Sequence, residues 1–133
     1  MDNYTAGHAA ALWAGLHIIL MLVLSVLVVR QRRSHKVATG DGGAPQLLQA
    51  LRAFGNASEY VPTAIAGLVA LAVAGAAPVA IHAAGALLLA GRVAHAVGLS
   101  ASVGVSIGRT MGMVLTWLAY IFLAVALLVY SIG

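Results

Sequence analysis

The sequence predicts an all-α integral membrane protein, a four-transmembrane-helix bundle, on three observations. Hydrophobic residues make up 62% of the 133 residues and charged residues only 8%, whereas soluble domains carry about 25% charged residues. The mean hydropathy is +1.03. Four apolar runs each reach the roughly 20 residues that a helix needs to cross a bilayer. Because backbone groups must be paired in lipid, and the alternating pattern of a membrane barrel is absent, these runs predict helices.

The four helices form a single predicted domain, 1–133, and each element has its own sequence signal. The first run follows Asp2 with no basic residue before it, which favours a retained helix over a signal peptide. The second helix should begin in an amphipathic stretch and kink at Pro62. A turn at Gly75-Ala-Ala-Pro78 separates it from the third. The predicted helices are approximately 9–29, 47–76, 79–99 and 109–132.

The seven basic residues of this apolar chain are interpreted as signals of which side of the membrane each loop occupies. Four basic residues directly follow the first helix: Arg30, Arg32, Arg33 and Lys36. Arg109 closes the loop between the third and fourth helices. The positive-inside rule then predicts that both loops are cytoplasmic and both termini lie on the other side. The net charge of +4 is therefore no sign of a nucleic-acid partner, and the absence of cysteine excludes a disulfide scaffold, a cysteine zinc site and a catalytic cysteine.

Two charged residues fall at membrane depth, where ionisable groups are costly and are candidates for function. Glu59 lies on one stripe of the second helix with Arg52, Asn56 and Thr63. This stripe either holds a zwitterionic polar ligand or forms a structural network at the helix end. Arg92 lies at a similar depth in the third helix, so a Glu59–Arg92 ion pair is expected.

Arg109 and Thr110 open the fourth helix, and their position has two interpretations. They are an interfacial anchor and an N-cap, or they place a cation beside a helix N-terminus, where an anion such as a thiolate is stabilised. The histidines do not favour a metal or haem site, because His8 and His17, like His82 and His95, fall on opposite faces of their helices.

Alanine and glycine are abundant along the second and third helices, for example in Ala64-Ile-Ala-Gly67 and Ala83-Ala-Gly85. Small residues allow membrane helices to approach closely. The pattern is compatible with tight packing inside one subunit and with a seam between subunits.

Three motifs resemble one known family. The segment Arg52-Ala-Phe-Gly-Asn56-Ala-Ser-Glu59-Tyr60-Val-Pro62 resembles the Arg-Ala-x-x-Asn-x-x-Glu-Tyr-x-Pro signature of the MAPEG family, the membrane-associated proteins of eicosanoid and glutathione metabolism. Gly91-Arg92-Val-Ala-His95 is similar to a segment in the third helix of its prostaglandin-E synthases. Ile107-Gly-Arg109-Thr110 is similar to the start of the family's fourth helix.

The resemblance implies a homotrimer that binds glutathione between subunits and takes a lipophilic electrophile from the bilayer. By position, the tripeptide's backbone and charged ends would be held by Arg52, Asn56, Glu59 and Tyr60. Arg92 and His95 would complete the polar wall, and Arg30 would contact a glutathione carboxylate. Arg109 would stabilise the glutathione thiolate beside the hydroxyl of Thr110.

The expected function is that of a glutathione-dependent membrane transferase or peroxidase in the inner membrane of a bacterium. Two departures, Leu99 where many animal members have tyrosine and Gly55 where some have a polar residue, keep open a non-catalytic protein with the same fold. A small multidrug transporter is a further alternative, although such transporters use a buried glutamate in the first helix, which has no acidic residue here.

Overall fold

The computed structural model describes residues 2–102 and 104–132, with side chains from Thr5 onward. In chain order the helices are α1 (Asp2–His35), α2 (Pro45–Val73), α3 (Pro78–Ala101) and α4 (Ile107–Ile132). All four are long and apolar enough to cross a membrane. The all-α four-helix membrane fold expected from composition is therefore confirmed.

The helix ends differ from the limits of the apolar runs. α1 is longer than 9–29 at both ends, because polar residues continue a helix outside the bilayer until a residue breaks it. Lys36 breaks it with a φ of +55°, and the Arg32 guanidinium donates to the Ala38 and Gly40 carbonyls of the turn that follows. α2 ends at Val73 and not at 76, because Gly75 adopts a φ of +82°.

α2 and α3 both begin with a proline in the first helical turn, Pro45 and Pro78. A proline there gives up no hydrogen bond, since the first N–H groups of a helix have no partner inside it. α2 continues through Pro62 and spans about 43 Å at 1.5 Å per residue. It therefore extends beyond the roughly 30 Å hydrocarbon core.

Glycines bring the backbones of α3 and α4 into direct contact. A Cβ atom on Gly91 would lie 2.9 Å from the Gly112 carbonyl oxygen, and one on Gly98 would lie 2.5 Å from the Arg109 nitrogen. A Cβ on Gly112 would collide with the backbone of His95. This crossing sets the positions of His95 and Arg109, because it leaves no room for either helix to rotate or slide.

Other small residues also pack inside the subunit. Gly85 of α3 receives the indole ring of Trp13, and Gly67 of α2 lies against Leu123 of α4. These contacts favour tight internal packing for much of the small-residue pattern. Large apolar side chains remain exposed along α1 and α4, including Ile18, Leu22, Ile121 and Leu128, as expected for surfaces that face lipid.

We expect Gly112→Ala to lower the free energy of unfolding by about 1–3 kcal/mol, because the new methyl group has no space between α3 and α4. Gly15→Ala is the matched control, since no atom lies within 4 Å of its Cβ position. The control should be neutral or stabilising by up to about 1 kcal/mol through helix propensity. Thermal unfolding of both variants in detergent micelles measures the difference, and equal stability would contradict the packing described here.

Candidate functional site

Arg92 of α3 is the centre of a buried polar cluster. Its side chain is only 2% exposed. Nη1 donates to Asn56 Oδ1 at 2.9 Å, and the guanidinium carbon lies 5.4 Å from the centre of the Tyr60 ring. Asn56 and Tyr60 are one turn apart on α2, so that helix offers an amide oxygen and an aromatic face. Both contacts stabilise a cation that has lost its water.

α4 contributes two further side chains to this cluster. Arg92 Nη2 lies 3.8 Å from the sulfur of Met113. The Tyr120 hydroxyl donates to the Tyr60 carbonyl, and the two rings pack edge to face with centres 5.7 Å apart. Sequence reasoning missed both residues. The available signal was their spacing from Arg109 on one face of α4, with Thr116 between them.

His17 of α1 is a third residue whose role the sequence did not reveal. It is completely buried, and its Nδ1 lies 2.7 Å from the Trp13 carbonyl oxygen. Among the described residues, the buried atoms without a hydrogen-bond partner are His17 Nε2 and Arg92 Nε. Two buried polar atoms of the described interior, one on α1 and one on α3, therefore make no hydrogen bond.

The expected ion pair between Glu59 and Arg92 is wrong. No ion pair joins them within residues 2–102 and 104–132, and Glu59 is exposed while Arg92 is buried. The reason lies in the helical period: α2 turns Asn56 and Tyr60 inward, and Glu59 is about 100° away from Tyr60 around the helix. Arg52 is also exposed, so the outer part of the stripe presents a base and an acid away from the subunit core.

A cavity of about 270 Å³ lies along α3 and α4 beside the start of α4. Its polar lining comes from His95, Arg109 and Thr110, and its apolar lining includes Met113 and Trp117. Arg109 Nη1 donates to the Gly104 carbonyl at 2.6 Å. Because Met113 also contacts Arg92, this cavity adjoins the buried cluster.

Ser106, and not Thr110, caps the first turn of α4. The Ser106 hydroxyl accepts from the Arg109 backbone N–H at 3.3 Å and donates to the Gly98 carbonyl at 3.1 Å. The interpretation of Thr110 as an N-cap is therefore corrected. Its exposed side chain lies on the first turn and lines the cavity instead.

One subunit gathers the predicted site residues into two adjoining groups and leaves three apart. Asn56, Tyr60 and Arg92 are in contact, and His95, Arg109 and Thr110 line one cavity. Three charged residues stay exposed outside both groups: Arg30, Arg52 and Glu59.

These features define a polytopic membrane protein of four helices, three of which, α2, α3 and α4, surround one buried arginine. The chain belongs to the MAPEG family, whose profile matches residues 10–129. It is 39% identical over 121 residues to the inner membrane protein YecN of Escherichia coli K12, covering 91% of each chain. The protein of the same name from Escherichia coli O6:H1 matches with the same identity and coverage.

We expect Asn56→Leu to lower the free energy of unfolding by about 2 kcal/mol, because it removes a hydrogen bond to a buried charged group. Asn56→Asp should retain stability, since a carboxylate oxygen accepts from the same guanidinium. The control is Glu59→Gln, one turn further along α2, which removes no ion pair inside the described subunit. Thermal unfolding in detergent ranks the three variants, and an equal loss in Asn56→Leu and Glu59→Gln would be inconsistent with the Arg92–Asn56 contact.

Proposed function

We propose that this protein is a glutathione-dependent membrane transferase or peroxidase that activates the glutathione thiol toward lipophilic electrophiles. Membership of the MAPEG family supports the proposal. The observation that carries it is the outward-facing pair Arg52 and Glu59, a base and an acid seven residues apart on one stripe of α2. Glutathione carries two carboxylates and one ammonium group, so it complements such a pair.

The free-energy cost of placing a charged side chain near a bilayer is the reason why Arg52 and Glu59 are candidates for ligand binding. Glu59 lies within α2, an apolar helix, and has no ion-pair partner among the described residues. A carboxylate in such a place needs a partner from outside the subunit. The ammonium group of glutathione would supply one for Glu59, while Arg52 and Arg30 would hold its carboxylates. Asn56 and Tyr60, positioned by Arg92, would contact the backbone of the tripeptide.

A homotrimer would complete this site. In one subunit the exposed charges of α1 and α2 lie outside the cavity of Arg109. A neighbouring subunit that docks against α2 would bring its own Arg109 toward the Arg52–Glu59 pair. The exposed apolar side chains of α1 and α4 supply surface both for such docking and for lipid.

Arg109 and Thr110 are the proposed catalytic residues. A thiol with a pKa near 8.5 is mostly protonated at neutral pH, and a guanidinium beside a helix N-terminus stabilises the thiolate. The Thr110 hydroxyl would donate a hydrogen bond to the sulfur, and His95 would line the same wall. In conjugation, the thiol proton leaves to water, and the sulfur either displaces a leaving group such as a halide ion from the electrophilic carbon or adds to an activated double bond whose neighbouring carbon then takes a proton from water. In peroxide reduction, two glutathione molecules become one disulfide as the hydroperoxide becomes an alcohol and water.

From the positive-inside rule we expect this site to lie at the cytoplasmic face. We propose an inner-membrane location, as the name of the Escherichia coli relative states for that protein. The loops α1–α2 and α3–α4 would be cytoplasmic and both termini would lie on the other side. Cytoplasmic glutathione and a lipophilic electrophile dissolved in the bilayer would then meet at the membrane surface.

A non-catalytic protein with the same fold is the second candidate. Leu99 is 6% exposed and packs with Leu24 and Ala53 in an apolar cluster. Many animal members of the family have tyrosine at this position, so the hydroxyl group of that tyrosine is missing here.

We expect glutathione to bind the detergent-solubilised protein, and Glu59→Gln to weaken binding about tenfold through the loss of one charge-assisted contact. Isothermal titration calorimetry measures both affinities. Arg33→Gln is the control, because Arg33 is an exposed basic residue of α1 outside the proposed site, and it should bind as the wild type does. No binding at millimolar glutathione would exclude the proposed function and favour the non-catalytic protein.

We expect bound glutathione to show the ultraviolet absorbance of a thiolate, and Arg109→Ala to abolish it while glutathione still binds. The physical reason is that the guanidinium stabilises the charged sulfur and contributes less to the rest of the tripeptide. Arg109→Lys retains the charge and should retain part of the signal. Binding by the wild type without thiolate absorbance would argue against thiol activation at this site.

A further inference from the structure

Two cavities meet on the side of α3 that faces α1. The first, about 230 Å³, is lined by the amide side chains Gln31, Gln46 and Gln49. The second, about 400 Å³, is lined by apolar residues of α1 and α3, including Val93 and Val97. Both are lined by Leu24, Leu27 and Ser100, so they form one continuous depression, which we call the amide groove.

The chemistry of the amide groove changes along its length. Its polar end lies beside Gln31, which is surrounded in sequence by Arg30, Arg32 and Arg33 at the polar end of α1. Its apolar end reaches Leu20, about 16 Å deeper along α1 at 1.5 Å per residue. The groove therefore runs from the membrane surface into the hydrocarbon region.

The three amides are available to a ligand. None of them makes a hydrogen bond within the described chain, and Gln31 and Gln49 are half-buried. Ser100, by contrast, already donates to the Ala96 carbonyl at 2.9 Å. An amide both donates and accepts, and no charged side chain lines the polar end. The lining thus favours an uncharged head that carries hydroxyl or ester groups.

Within one subunit, the amide groove and the Arg109 cavity lie on different sides of α3. Val93 and Val97 lie two residues before and after His95, which places them about 200° around α3 from that side chain. His95 lines the Arg109 cavity on the α4 side. An occupant of the amide groove would therefore not enter the Arg109 cavity of the same subunit.

We propose that the amide groove binds a neutral single-chain lipid, of the monoacylglycerol class, with its head at the three glutamines and its acyl chain between α1 and α3. The apolar cavity, of about 400 Å³, falls in the range of about 300–1,000 Å³ that is typical of small-molecule sites. Hydrogen bonds at the head distinguish this ligand from bulk acyl chains, which fill any apolar surface without preference.

Photolabelling in liposomes tests the site with the full-length protein. The probe is a monoacylglycerol with a diazirine in the middle of its chain, and peptide mass spectrometry locates the adducts. We expect adducts concentrated in segments 20–27 and 93–101. Excess monoolein should suppress them, whereas methyl oleate, which lacks a hydroxyl head, should compete about tenfold less well because two or more hydrogen bonds are missing.

Matched variants separate the groove from the general lipid surface. Val97→Trp fills the groove and should reduce labelling of these segments about tenfold through steric exclusion. Val129→Trp is the control, because Val129 is 61% exposed on α4 outside the groove, compared with 62% for Val97. The double variant Gln46→Leu with Gln49→Leu should remove the advantage of monoolein over methyl oleate, and it tests the head site even if Val97→Trp fails to insert.

Three outcomes would overturn the proposal. Adducts spread evenly over all four helices would mean ordinary solvation by lipid. If the probe labels the other lipid-facing segments but forms no adducts in segments 20–27 and 93–101, a second copy of the chain covers the groove. Equal competition by monoolein and methyl oleate would mean that the amides bind no head group. None of these outcomes bears on glutathione binding.

Discussion

The burial of one arginine inside an apolar four-helix bundle is the constraint on which the polar part of the structure depends. Arg92 is 2% exposed, and a guanidinium in such a place must find partners within the protein. Asn56 and Tyr60 supply them from α2, and Met113 supplies a softer contact from α4. The requirement therefore ties three helices together at one depth.

The close approach of α3 and α4 makes this arrangement possible. Glycines at 91, 98 and 112 allow backbone contact, which carries Arg92 and His95 toward the start of α4. Since Ser106 caps that helix with its own hydroxyl, Thr110 is left to line the cavity with Arg109. Packing by small residues thus positions Arg109 and Thr110, the two residues proposed for catalysis.

The rejected ion pair shows how far helical periodicity can be read from a sequence. The predicted depth of Arg92 in the membrane agrees with the structure, because its side chain reaches residues 56–60 of α2. The predicted partner of Arg92 was wrong, because the depth of a residue does not determine which way its side chain points. Glu59 and Tyr60 are neighbours in sequence, but their side chains leave α2 about 100° apart. The prediction of an ion pair left out the cation–π and amide contacts, which also stabilise a buried guanidinium. Met113 and Tyr120 were missed for a related reason, since neither residue type signals a polar site.

The sequence by itself determined the class of fold, the number of spans, the family motifs and the residue types of the proposed glutathione site. These depend on hydropathy and on spacing along the chain, both of which are local properties. Only the tertiary structure decided which partners surround Arg92, which residue caps α4, and that Gln31, Gln46 and Gln49 from two helices line one cavity. Such groupings depend on how each helix is rotated and how closely it packs, and side-chain contacts between distant segments set both.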